Sequence, residues 1–219
     1  MHKIYEDIFD RIPLSLVKYN WFLENISSTH NAVFDSAKRL MDVLVSLILG
    51  TISLICYPLI FLTVKLEDGG PLFFVQERIG ENNRLIKVFK FRSMREKNGE
   101  KKITKVGAWL RRLRLDELPQ LWNVLLGNLS LIGPRPEIPE IAKAYEKQIP
   151  YYNVRHLIKP GLSGWAQLYH HTPPKFDPDY NETKVKLSYD LYYLKNRSFM
   201  LDVKIALKTL KTLLFTNGV

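Results

Sequence analysis

Two adjacent carboxylates follow a run of arginines in Arg111-Arg112-Leu113-Arg114-Leu115-Asp116-Glu117-Leu118-Pro119-Gln120. The spacing predicts a helix from Asp116 to Leu126, with Pro119 in its first turn and Gly127 at its end. In that position the positive end of the helix dipole would keep Asp116 ionised. An ionised carboxylate can attack phosphorus or hold Mg²⁺. Arginines beside it can grip phosphate oxygens in forked geometry and spread the charge that builds up during transfer. The same spacing also fits an ordinary helix start, with Asp116 as cap and Glu117 as a first-turn acid.

Gly133-Pro134-Arg135-Pro136 places one arginine between two prolines, on a backbone they stiffen. Such a turn can present Arg135 to an anion, or can be a plain surface turn. Lys159-Pro160-Gly161 followed by Gly164-Trp165 is rich in turn residues and says little alone. Asp177-Pro178-Asp179 matches the D-x-D of metal-dependent glycosyltransferases, but so short a match in a proline-rich loop arises often by chance. His170-His171 are adjacent rather than at metal-ligand spacing. The chain has no G-x-x-x-x-G-K-S/T loop and no H-E-x-x-H.

These residues need elements to position them. The 22 residues from Val43 to Val64 carry no charge and contain Pro58. At about 1.5 Å per residue a straight helix of that length just crosses a bilayer. Pro58 removes a donor and strands the Leu54 carbonyl, so the segment is a kinked span or a helix that enters and leaves by the same face. Lys38 and Arg39 precede it and many basic residues follow, which suits both ends on the cytoplasmic side. It begins too far along the chain, with no small-residue cleavage pattern after it, to be a secretory signal.

The 219 residues carry a net charge of +10, which implies anionic partners: nucleic acid, acidic headgroups or phosphorylated substrates. No helix-turn-helix or finger signature supports nucleic acid. The single cysteine, Cys56, excludes an intrachain disulfide.

The expected fold class is α+β and mainly helical: a re-entrant kinked membrane helix, amphipathic surface helices and a small β-hairpin. Residues 1–37 read as a helical arm or linker, 38–66 as the membrane helix and 67–219 as a catalytic domain. In the arm, Trp21-Phe22-Leu23 suits either a headgroup interface or packing on the body. Leu72 to Arg78 and Arg84 to Arg92 read as strands around Gly80-Glu81-Asn82-Asn83. Residues 95–105 read as a charged loop, Ile138 to Gln148 as a helix and Pro173-Pro174 to Asp179 as an irregular loop. An amphipathic helix from Asp202 sets Val203, Leu207, Leu210 and Leu214 against Lys204, Lys208 and Lys211.

From Lys38 onward the chain resembles the bacterial sugar transferase family, the monotopic polyprenyl-phosphate phosphoglycosyl transferases. The resemblance runs through Lys38-Arg39-x-x-Asp42, the proline-broken apolar helix, Gly70-Pro71, Gln76-x-Arg78-x-Gly80 and Lys90-Phe91-Arg92-Ser93-Met94. It continues through Leu115-Asp116-Glu117-Leu118-Pro119-Gln120-Leu121-x-Asn123-Val124, Gly133-Pro134-Arg135-Pro136, Lys159-Pro160-Gly161-Leu162-Ser163-Gly164-Trp165-Ala166-Gln167 and Tyr189-Asp190-Leu191-Tyr192-Tyr193.

The resemblance implies a two-step reaction. Asp116 attacks the β-phosphorus of a UDP-sugar and releases UMP, and the sugar-phosphate then passes to a polyprenyl phosphate. Mg²⁺ is expected beside Asp116, with Glu117 as a base or electrostatic helper. Lys90, Arg111 and Arg135 would grip phosphate or nucleotide, and Asp190 would lie near the site. Implied partners are the UDP-sugar, the polyprenyl (undecaprenyl) phosphate and membrane phospholipid, without nucleic acid; a homodimer is an open expectation. The implied location is the cytoplasmic face of the bacterial inner membrane. The competing expectation is a catalytically silent membrane scaffold of the same fold.

Two departures stand out. Many family members have Ser-Pro at the break, where this chain has Tyr57-Pro58, and Ser53 is expected to satisfy the freed carbonyl instead. Tyr5 to Phe22 resembles the linker that in longer relatives follows an accessory region, so the chain is read as a short member or a truncated one.

Overall fold

The computed structural model describes residues 2–17, 19–26, 32–97, 100–169 and 179–215. The arm forms α1 (His2–Phe9) and α2 (Tyr19–Asn25). Ile12 and Ile26 are buried in one core cluster with Tyr145, Tyr152 and Leu187, and Trp21 and Phe22 pack against it. Packing on the body, rather than a headgroup interface, therefore accounts for Trp21 and Phe22.

The apolar segment forms α3 (Ala32–Ser53) and α4 (Tyr57–Asp68), separated by a 3-10 turn at Leu54–Cys56. Pro58 causes the break, because it has no N–H for the Leu54 carbonyl. The Tyr57 N–H takes that carbonyl in the tighter geometry. Ser53, expected to do so, donates to the Gly50 carbonyl at 2.7 Å instead. Among the described residues, 32–68 is the one helical stretch long and apolar enough to cross a membrane.

One face of this helix pair is buried along its length, through Asp42, Ser46, Gly50, Ser53, Ile60 and Val64. The opposite face exposes Leu44, Ile48, Ile52, Ile55, Leu59 and Leu62.

The expected hairpin forms from β1 (Phe73–Ile79) and β2 (Leu85–Phe91), paired antiparallel. Its register sets Phe74 against Lys90, Gln76 against Val88 and Arg78 against Ile86, so Arg78 and Lys90 project from the same face. Asn82 and Asn83 turn the chain with φ of 53° and 59°, and Asn83 Oδ1 lies 2.7 Å from His156 Nδ1.

The charged run expected as a loop is a second antiparallel hairpin, β3 (Met94–Lys97) with β4 (Glu100–Ile103). Pairing needs only backbone groups. With Arg95, Glu96, Glu100, Lys102 and Ile103 exposed, the apolar alternation that marks a half-buried strand is missing.

Next comes α5 (Lys105–Arg112), capped by the Thr104 hydroxyl on the Gly107 N–H. The Glu67 carboxylate, from the end of α4, accepts the Lys105 and Val106 N–H groups at 2.6 and 3.0 Å. Asp116 does not cap a helix. Arg114, at φ 57°, ends α5; a 3-10 turn covers Leu115–Glu117; and α6 (Gln120–Leu125) starts only after Pro119. Gly127 follows the end of α6 in the left-handed region, as expected.

β5 (Ser130–Ile132) and β6 (Gly161–Ser163) pair in parallel. This lays the Gly133-Pro134-Arg135-Pro136 turn against Lys159-Pro160-Gly161, backbone on backbone. A Cβ at Gly161 would lie 2.1 Å from the Gly133 nitrogen.

The remaining helices are α7 (Pro139–Gln148), α8 (Trp165–Tyr169), α9 (Tyr180–Lys195) and α10 (Phe199–Phe215). On α10 the residues that pack inward are Leu201 and Ile205, whereas Val203, Leu207 and Leu210 of the expected stripe are exposed. The Leu214 side chain lies outside the described residues. The architecture is α+β and mainly helical, as expected, with 65% of the described residues in helix.

Charged side chains fasten α3 to the body, Asp35 among them through Arg197. Arg39 donates to the Val124 and Leu125 carbonyls at the end of α6, at 2.5 and 2.8 Å. Asp42 accepts from the Leu131 N–H at 3.1 Å, and Lys38 pairs with Asp202 at 2.6 Å. Arg39→Ala removes both bonds, leaving the Val124 carbonyl with the Gly127 N–H, and is expected to cost about 1.5–3 kcal/mol, the range for hydrogen bonds to a charged group. A fall in the unfolding midpoint of the detergent-solubilised chain checks this.

Candidate active site

The site forms where β2, the turn between α5 and α6, and the turn after β5 converge. Lys90 reaches in from β2, and its Nζ lies 2.8 Å from Glu117 Oε1. Arg135 reaches in from the turn after β5, and its Nη2 lies 3.0 Å from the same oxygen. Arg111, on the last turn of α5, donates through Nε to Ser93 Oγ at 2.8 Å. Asp116 is buried, yet forms no ion pair and no side-chain hydrogen bond among the described residues. Arg78, Lys90 and Arg135 line one small cleft together with Val88, Gln120, Pro136 and Gly161.

Asp190 takes a different place. It is 1% exposed on α9, with Oδ2 2.8 Å from Arg155 Nη2. The same Arg155 nitrogen donates to the Arg135 carbonyl at 3.0 Å, and Arg155 Nη1 donates to Tyr152 Oη at 2.8 Å. Asp190 thus stands behind the turn that presents Arg135, one residue removed from it. Burial pushes its carboxyl up to about 6, against the pull of Arg155.

The two adjacent acids are driven in opposite directions. Burial works against the Glu117 carboxylate, but Arg135 and Lys90 outweigh it and hold the carboxyl well below its ordinary value of 4.5. Burial and the Glu117 charge raise Asp116, against Lys90, Arg111 and Arg114. This reverses the expectation that a helix dipole would favour the Asp116 anion. Asp116 sits in a 3-10 turn behind a left-handed residue, so no helix points its N-terminus at it. Burial lowers Lys90, with Glu117 opposing; burial and then Arg135 lower Arg78.

This division of labour suits phosphoryl chemistry. Glu117, clasped by two cations, makes a poor base and a good orienting charge. Asp116, with free oxygens and raised basicity, is the stronger nucleophile of the two when ionised. Mg²⁺ is commonly held by one or two carboxylates plus substrate phosphates. The unpaired Asp116 carboxylate fits that donor set. No cluster of three or more His, Cys, Asp or Glu residues that could hold a metal occurs among the described residues.

The structure thus brings Asp116, Glu117, Lys90, Arg111 and Arg135 together and sets Asp190 behind them. Asp179 caps α9 by accepting the Glu182 N–H at 3.1 Å; Asp177 and His170-His171 lie outside the described residues. Sequence reasoning missed Arg78, Gln120 and Arg155 as site residues. The strand alternation could have found Arg78, because it shares a hairpin face with Lys90.

The bacterial sugar transferase family model matches residues 33–216. The chain belongs to the bacterial sugar transferase family. It is 42% identical over 199 residues to the UDP-N-acetylgalactosamine-undecaprenyl-phosphate N-acetylgalactosaminephosphotransferase of Aeromonas hydrophila, covering 85% of this chain and 45% of that protein. It is 41% identical over 185 residues to the UDP-glucose:undecaprenyl-phosphate glucose-1-phosphate transferase of Escherichia coli, covering 78% and 39%. It is 39% identical over 162 residues to the exopolysaccharide production protein PSS of Rhizobium leguminosarum, covering 68% and 80%. The chain therefore spans less than half the length of the first two relatives.

Glu117→Gln would leave Lys90 and Arg135 without their counter-charge. Because the folded pKa of Glu117 lies below 4.5, its contribution is fully present above pH 4.5 and is lost as the pH falls through the lower folded value. Arg135 is 38% exposed, so solvent screens part of the effect. The expected cost at pH 7 is about 1–3 kcal/mol, shrinking as the solution is acidified below pH 4.5. Denaturant titrations of both proteins at several pH values measure it.

Proposed function

We propose that this bacterial sugar transferase moves a sugar-1-phosphate from a UDP-sugar to a polyprenyl phosphate, releasing UMP. The observation that carries the reading is the unpaired Asp116 carboxylate beside a cleft lined by Arg78, Lys90 and Arg135. An Asp116 oxygen attacks the β-phosphorus, and the bond from that phosphorus to the oxygen bridging it to the α-phosphate breaks. UMP leaves with that oxygen, and Asp116 carries the sugar-phosphate. An oxygen of the polyprenyl phosphate then attacks the same phosphorus and frees Asp116. Lys90 and Arg135 hold phosphoryl oxygens, and Glu117 keeps both cations oriented. Mg²⁺ bound at Asp116 and the diphosphate would offset the charge on the leaving group.

The relatives' names, which pair a UDP-sugar with undecaprenyl phosphate, support this donor and acceptor class.

The same reading places the protein on one face of the bacterial inner membrane, with the catalytic domain in the cytoplasm. Three observations support a helix that dips into the bilayer and returns. Arg39 ties the start of the apolar segment to α6, Glu67 ties its end to α5, and the exposed face between them is apolar. A crossing helix would carry one end away from the body.

UMP release from a panel of UDP-sugars, with Mg²⁺ and undecaprenyl phosphate, tests the reaction. Release with at least one donor is expected, and Asp116→Asn lowers it about a thousandfold or more. Because the Asp116 pKa is raised, the acid limb of the pH–rate profile is expected above its ordinary value of 3.8. Absence of turnover by folded wild-type protein with every donor would overturn the reading. Topology is tested separately, with a cysteine placed at His2 in a Cys56→Ser background. Whole cells are expected to resist labelling there by an impermeant maleimide; labelling would mean a full crossing.

A further inference from the structure

Gln120 is the first residue of α6 and follows the acid pair closely in sequence. It is 4% exposed, and its Nε2 has no hydrogen-bond partner. It lines the same cleft as Arg78, Lys90 and Arg135. A buried amide donor without an acceptor costs free energy, and native structures rarely leave one so without reason.

The charged side chains that line the cleft cannot supply the acceptor. Arginine and lysine have donors only. Arg78 spends donors on Gln76 Oε1 at 2.6 Å and on the Pro136 carbonyl at 3.2 Å. Lys90 and Arg135 share the one Glu117 oxygen. A partner that offers acceptor oxygens to the amide and negative charge to the three cations beside it suits this cleft, which describes a phosphoryl group.

We propose that Gln120 Nε2 donates a hydrogen bond to a phosphoryl oxygen of the bound donor, as a neutral fourth donor beside Arg78, Lys90 and Arg135. A neutral group is suited to the position. A further cation there would face three others in a confined space, and Arg78 already has its charge disfavoured by burial and then by Arg135. This inference rests on the transferase reading above.

The test uses the full chain in detergent, with UDP as probe and calorimetric binding as readout, so turnover is not needed. Gln120→Met keeps length and shape but removes the donor. Gln120→Glu removes the donor and adds a charge that repels phosphate. Uridine, which lacks phosphate, is the control ligand. Expected results are UDP binding by wild type, a 10- to 100-fold loss with Gln120→Met, a larger loss with Gln120→Glu, and unchanged uridine affinity. The ligand-free melting temperature of Gln120→Met should equal or exceed that of wild type, because an unpaired buried donor is gone.

Wild-type UDP affinity in Gln120→Met would overturn the proposal. Wild-type affinity in Gln120→Glu would overturn it too, because the amide would then be turned to accept from the cations. A lower ligand-free melting temperature with unchanged UDP affinity would assign Gln120 a packing role. If wild type releases UMP but Gln120→Met behaves as wild type, this inference alone fails. If wild type neither binds UDP nor turns over any donor, the transferase reading fails and takes this one with it.

Discussion

One carboxylate oxygen, Glu117 Oε1, holds the site together. It accepts from Lys90 on β2 and from Arg135 in the turn after β5, while its own backbone belongs to the turn between α5 and α6. Segments from three parts of the chain therefore meet at one charge. Two cations could not approach each other at this depth without it, because their mutual repulsion is weakly screened away from water. By taking both cations, Glu117 also leaves its neighbour unpaired. Asp116 keeps free oxygens because the adjacent acid has absorbed the local positive charge.

Behind that clasp lies a second layer that sets the Arg135 backbone. Arg155 bonds the Arg135 carbonyl while pairing with Asp190 on α9 and with Tyr152. From the other side, the parallel pairing of β5 and β6 brings Gly133 and Gly161 into contact that tolerates no side chain. Two prolines stiffen the same turn. A long, flexible arginine needs this support to deliver its guanidinium to a fixed point, since ordering such a side chain costs roughly 1.5–2 kcal/mol of rotamer freedom.

The apolar helix pair is fastened at both ends to the elements that build the site. Its N-terminal end is tied to α6 through Arg39 and its C-terminal end to α5 through Glu67. These two helices flank the turn that bears Asp116 and Glu117. The break at Pro58 is braced from the body as well. Tyr57 packs edge-on against Phe91 at 4.8 Å between ring centres, and its hydroxyl accepts the Trp122 Nε1 hydrogen at 3.1 Å. At Tyr57-Pro58 this chain anchors the bend through tertiary contacts.

Much of this was legible in the residues themselves. Local rules found the apolar segment and its break, the first hairpin, and the helix over Pro139–Gln148, because proline geometry, alternation and helical period act over a few residues. The motifs carrying Asp116, Glu117, Lys90, Arg111 and Arg135 were also visible as sequence. The second hairpin was not, since Arg95, Glu96, Glu100, Lys102 and Ile103 are all exposed and leave no apolar alternation. Nor was the end of α5, since nothing local announces that Arg114 adopts a left-handed conformation. That single residue changed Asp116 from an expected helix cap into a member of an isolated turn. What the sequence determined by itself was the inventory: the acids, the cations and the elements that carry them. Only the tertiary structure decided how the charges pair, which acid is clasped and which is free, and that Asp190 pairs with Arg155. Pairing depends on distances between segments far apart in the chain, and no local pattern encodes those distances.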